Sequence, residues 1–134
     1  MPPEAAALVA KLRAQIFGLA MQSETDAPFR AVFWASDKAT LAPAEIALLA
    51  EVKGDVSVEI VTVEKFFANA VTIEDWMKDD EKATAVKFQK LIETLKAELE
   101  NPQVYLIGKT ERTVVVVGKI KGGFGGVITL VVET

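Results

Sequence analysis

Residues 83–105 read ATAVKFQKLIETLKAELENPQVY, and this stretch decides the fold. Phe88, Leu91, Ile92, Leu95 and Leu99 recur at the i, i+3, i+4, i+7, i+11 spacing that gathers side chains on one face of an α-helix. Lys87, Lys90, Glu93, Lys96, Glu98 and Glu100 fall on the opposite, solvated face. Asp79 and Asp80 stand just upstream, where a carboxylate caps orphan N–H groups and suits the positive end of the helix dipole. Pro102 ends the helix and pushes Asn101 toward an extended conformation. Gln103–Ile107 then reads as a strand. A helix of this kind running straight into a strand predicts a helical layer laid over a sheet.

The sheet comes largely from the residues C-terminal to this helix. Gln103–Ile107, Arg112–Lys119 and Val127–Glu133 are three successive strands with short connections, the pattern of an antiparallel meander. Val114-Val115-Val116-Val117 lacks polar alternation, so it is expected to be buried on both faces, with helices on both sides of the sheet. Gly122-Gly123-Phe124-Gly125-Gly126 invites comparison with a phosphate-binding loop, but a strand comes after it and no Gly-Lys-Ser/Thr is present; a hairpin connection is the expectation.

Upstream, Leu8, Leu12 and Ile16 mark a helix over about Pro3 to Phe17, with Gly18 after its end. Gln22 to Pro28 is a polar loop, and Phe29 to Ala35 an aromatic-rich strand. Pro43 to Val52 predicts a short helix burying Ile46, Leu49 and Ala50. Gly54-Asp55 is a turn signal, and Val56, Val58 and Ile60 alternate as a half-buried strand. Val63 to Ala70 carries Phe66-Phe67 and predicts a helix plugging the core. Together these elements predict an α+β fold, a three-layer α-β-α sandwich on a mostly antiparallel sheet of about five strands, in one domain over residues 1–134.

Composition narrows the chemistry. The chain is 51% hydrophobic and 25% charged, as folded globular proteins are. With a net charge of −4 it lacks the basic balance that direct nucleic-acid binding needs, and a basic partner is expected instead. It contains no Cys and no His, which removes disulfides, thiol catalysis, the Ser-His-Asp triad, imidazole zinc sites and a histidine base. No stretch approaches the ~18 apolar residues of a membrane span, and no basic segment with an apolar core suggests a leader, so a cytoplasmic protein is expected.

Two groups of residues stand out. Glu24 and Asp26, with Glu133 and the terminal carboxylate, are candidates for acid–base work or, more simply, surface acids. Residues 74–81 pack Glu74, Asp75, Asp79, Asp80 and Glu81 around Trp76, either as an acidic helix start with a core Trp or as an interface anchor, a role Trp often fills. The final strand should also hold the C-terminal carboxylate in a fixed position.

Lys87-Phe88-Gln89-Lys90-Leu91, Asn101-Pro102-Gln103-Val104-Tyr105, Gly108 and the closing Val131-Val132-Glu133-Thr134 carry a further signal, joined by Ser23-Glu24, Pro28-Phe29, Phe66-Phe67 and Asp75-Trp76. In these residues the sequence resembles the nuclease A inhibitor family, inhibitors of a non-specific DNA/RNA endonuclease. The resemblance implies an α-β-α sandwich, no catalysis, no cofactor and no metal of its own. It implies a protein partner, a magnesium-dependent endonuclease with a basic cleft, and partner-binding residues at Glu24, Asp75, Trp76 and Thr134. Glu24 and Thr134 are then expected to approach the partner's metal through water. Two alternatives remain: an adaptor module on the same fold with an unrelated basic partner, and a hydrolase using Glu24, Asp26 and Glu133.

Overall fold

The computed structural model describes residues 1–53 and 57–132. Five strands form an antiparallel sheet: β3 (Arg30–Ala35), β4 (Val58–Val61), β5 (Glu100–Ile107), β6 (Glu111–Ile120) and β7 (Gly123–Val132). Their spatial order is β3-β7-β6-β5-β4. The meander β5-β6-β7 thus fills the middle, and β6 lies at the centre. That position explains the valine run: Val114, Val115 and Val116 are 0% exposed and Val117 is 3%. A central strand covered on both sides has no use for polar alternation.

Three helices cover one face: α1 (Pro3–Ile16), α3 (Val63–Val71) and α4 (Asp79–Glu98). Leu8, Leu12, Phe67, Phe88, Leu91 and Leu95 pack there against Val104, Val114, Val116 and Val127. The short α2 (Pro43–Leu49) covers the other face, with Ile46, Ala47 and Ala50 against Val115, Val117, Phe124 and Ile128. The α-β-α layering and the buried stripe on α4 follow the sequence pattern.

Local details differ from expectation. Helix α4 begins at Asp79, so Asp79, Asp80 and Glu81 form its first turn. The backbone N–H of Lys78, the preceding residue, donates to Glu81 Oε1 at 3.0 Å. A glutamate three residues into a helix does this readily, and acids in the first turn complement the dipole. Asn101 is left-handed rather than extended, with φ 48°, and the β5–β6 register shifts between Glu100 and Gln103. Asn tolerates that conformation better than most residues, and the chain uses it to enter the sheet two residues before Pro102.

On α2, Leu49 is 40% exposed, and the buried face is formed by Ile46, Ala47 and Ala50 instead. Ile60 is 49% exposed on β4, an edge strand of the sheet among the described residues. Gly54, Asp55 and Val56, the expected turn and strand start, lie outside the described residues.

The glycine run is only partly a connection. The β6–β7 turn is Lys121-Gly122, with Gly122 at φ 88°, and Gly123 onward is already strand β7. A Cβ on Gly126 would stand 1.8 Å from the Val116 carbonyl oxygen. Gly126→Ala is therefore expected to force β7 off the central strand, at a cost of about 1–3 kcal/mol or more. A lowered urea midpoint with an unchanged slope would register it.

Candidate functional site

The expected Gln22–Pro28 loop is the tip and second strand of a two-stranded hairpin, β1 (Ala20–Met21) with β2 (Ala27–Pro28), paired Ala20↔Pro28 and Met21↔Ala27. Strands this short give no periodic signal in sequence. Their placement comes from β7. The hydroxyl of Thr129, 5% exposed, donates to the Pro28 carbonyl at 2.9 Å, with the Ala27 carbonyl at 3.3 Å.

The hairpin's tip carries Ser23 and Glu24. Ser23 Oγ donates to the Thr25 carbonyl at 2.8 Å and accepts the Val132 N–H at 3.0 Å. The Glu24 N–H donates to the Val132 carbonyl at 3.2 Å. The tip is thus tied on both sides to the last described residue of β7. Glu24 itself is exposed. Thr134 and Glu133 lie outside the described residues.

Asp75 and Trp76 occupy the connection between α3 and α4. Two contacts fix its entrance: Thr72 Oγ1 donates to the Ala68 carbonyl at 2.7 Å, and Gln89 Nε2 of α4 donates to the Val71 carbonyl at 2.9 Å. A turn closes when the Met77 N–H donates to the Glu74 carbonyl at 3.1 Å, while the Glu74 N–H points at Met77 Sδ, also 3.1 Å away. Met77 is half-buried and Asp75 is exposed. Trp76 is 75% exposed, so it fills no core.

Two clefts join these regions. One, of about 630 Å³, lies beneath Glu24 between the hairpin, α3 and β6; Glu59, Lys65 and Arg112 line it, and Arg112 Nη1 donates to Glu59 Oε1 at 3.2 Å. The other, of about 380 Å³, runs to Met77 at the foot of the Trp76 turn. Both are lined by Met21, Gln22 and Asn69, so one continuous surface links the Glu24 tip to the turn beside Trp76. Asp80, already marked by the acidic run around Trp76, lines it, and so do Asn69 and Met77, which the sequence did not single out. No local pattern marks them; they meet only because α3, the hairpin and the start of α4 converge.

Glu24 and Asp26 line different clefts. Asp26 lines a third, beside Arg13 and Arg30, while Glu24 lines the cleft with Lys65 and Arg112. Among the described residues no group of three or more carboxylates could hold a metal ion, and no helix is long and apolar enough to cross a membrane. The arrangement offers an exposed carboxylate, an exposed indole and a grooved surface between them, which suits protein contact better than the enclosed, convergent acid pair a hydrolase needs.

Compared with known proteins, residues 6–134, nearly the whole chain, match the sequence model of a family described as nuclease A inhibitor-like protein. No curated protein matches the chain.

Proposed function

The chain belongs to the nuclease A inhibitor-like protein family, which supports a nuclease-inhibitor role, and from that premise we propose that it blocks the active site of a magnesium-dependent, non-specific DNA/RNA endonuclease. In this reading it acts by occupation and performs no catalysis. Glu24 and Thr134 present oxygen acceptors to the partner's metal-bound waters, and Asp75 and Trp76 anchor the contact at the other end of the surface. Carboxylates suit that task, since Mg²⁺ takes oxygen ligands and holds its waters firmly. A nuclease cleft shaped to hold phosphates is also basic, which draws an acidic protein of net charge −4 toward it.

The observation that carries the reading is the pair of hydrogen bonds from the Ser23-Glu24 tip to Val132. They tie the Glu24 tip to Val132, two positions before Thr134 in the sequence. The exposed indole supports the second contact: Trp is a frequent hot spot, and at 75% exposure it is available to a partner.

The direct test mixes the purified protein with such an endonuclease, Mg²⁺ and plasmid DNA, and follows degradation. A stoichiometric arrest of cleavage is expected; full cleavage at excess protein would overturn the reading. Association kinetics on the same pair separate the two contacts. The on-rate is expected to fall as ionic strength rises. Trp76→Ala is expected to act on dissociation instead, weakening the complex by about 2 kcal/mol or more. An on-rate indifferent to salt would remove the steering argument, and an unaltered off-rate would remove Trp76 as the anchor.

A further inference from the structure

Resting on the inhibitor reading above, we propose that the cleft at the foot of the Trp76 turn receives an arginine or lysine side chain of the partner. The cleft holds about 380 Å³, within the range of sites that enclose small groups, roughly 300–1,000 Å³. Its lining mixes apolar, neutral polar and acidic side chains, Gln22, Asn69, Thr72 and Thr84 being the neutral polar ones. Met21, Met77 and Phe88 supply an apolar wall, and thioether side chains adapt to whatever lies against them. Asp80 and Glu81 supply the charge, and of the described residues that line the cleft the charged ones are both acidic.

That combination matches a long basic side chain, whose methylene stem packs on apolar surface while its head seeks an anion. The positive end of the α4 dipole, worth roughly half a charge, offsets part of the negative charge. Asp79 adds to it from the same first turn, so an acidic excess remains. Asp80 keeps acceptor capacity, since one oxygen receives the Glu81 N–H at 3.0 Å and the other is not engaged by that bond.

The neighbouring cleft makes the choice specific. There Glu24 and Glu59 face Lys65 and Arg112, a balance of charge that favours neither sign. Of these two clefts, the one at Met77 selects a cation. It also lies between the hairpin that carries Glu24 and the turn that carries Trp76, so a basic residue on the rim of a nuclease cleft would meet it when both outer contacts form.

The test uses the full chain labelled with ¹⁵N and titrated with acetylated tri-arginine amide, against tri-citrulline amide of the same shape without charge. Saturable shifts of the Met21, Asn69, Asp80 and Thr84 amides are expected with tri-arginine. They should weaken at least about fivefold in Asp80→Lys. Thr84→Phe, which fills the cleft, should abolish them, and Thr84→Ala, which does not, should keep them; dispersed amide spectra check that each variant folds. Equal shifts with tri-citrulline, or shifts centred elsewhere, would overturn the proposal. A parallel nuclease assay separates it from the inhibitor reading. If the unaltered protein inhibits and Thr84→Phe inhibits equally well, the cleft is not used and this inference falls alone. If the unaltered protein fails to inhibit while the tri-arginine shifts persist, the cleft remains a cation subsite and the inhibitor reading falls.

Discussion

A short tag added after Thr134 is expected to weaken nuclease inhibition by about 10- to 100-fold while leaving the melting temperature unchanged. The extension turns the terminal carboxylate into a neutral amide and adds bulk where the partner's metal site would lie. A hydrogen bond to a charged group contributes about 1.5–3 kcal/mol, and each ~1.4 kcal/mol is tenfold in affinity. The core has no stake in the change. Its largest fully buried side chains, among them Phe67, Leu12, Ile46, Leu91, Leu95 and Ile107, all precede the last residues of β7, and the ties that hold the Glu24 tip end at Val132. A fusion that moves the tag to the N-terminus supplies the control, since it keeps the terminal carboxylate. Equal inhibition by both forms at equal stability would rule out a C-terminal plug. An adaptor binding through another face would be indifferent to the tag.

Phe67→Ala is expected to cost about 3–5 kcal/mol, as truncation of a fully enclosed aromatic ring does when its surroundings relax only in part. Phe67 is 0% exposed and lies among three other rings, with Phe29, Phe66 and Phe88 at centroid separations of 6.3, 4.8 and 6.0 Å. It fastens the nine-residue α3 to α4 and to Phe29, the residue before β3. The exposed Lys96–Glu64 pair at 2.8 Å, which also joins α3 to α4, contributes little by comparison. For a chain of this size the loss corresponds to a fall of roughly 10–20 °C in melting temperature. The same helix lines both clefts through Lys65, Phe66 and Asn69, so the effect reaches function. Inhibition by Phe67→Ala should weaken even at temperatures where most molecules stay folded. Phe66→Ala, at a half-buried position, should be milder in both assays. A variant as stable as the parent would mean that α3 is held by something other than this aromatic cluster.

Much of the fold is legible in the sequence because its main signals are local. The stripe of Phe88, Leu91 and Leu95, continued by Leu99 at the helix end, fixes the buried face of α4, and the unbroken Val114–Val117 run announces a central strand with cover on both sides. Signals at the margins failed where a neighbour decided the matter. Leu49 and Ile60 have the chemistry of core residues, but α2 turns Ile46, Ala47 and Ala50 to the sheet and β4 lies at the sheet edge, so Leu49 and Ile60 are left exposed. Asn101 turned left-handed to fit a register shift that no propensity encodes.

The candidate site divides along the same line. The sequence by itself determined the chemistry on offer: no imidazole and no thiol, an acidic balance, a Ser-Glu pair, and a Trp set among carboxylates. It also carried the family resemblance, since a family is a pattern of residues. The tertiary structure alone decided that Trp76 is exposed rather than buried, because that turns on how the Glu74–Met77 turn is clamped. It alone tied Ser23 and Glu24 to Val132, at the far end of the chain, through bonds to backbone groups that every residue type possesses. Backbone N–H and C=O groups carry no sequence signature, so the contact that organises this surface is one that only folding could reveal.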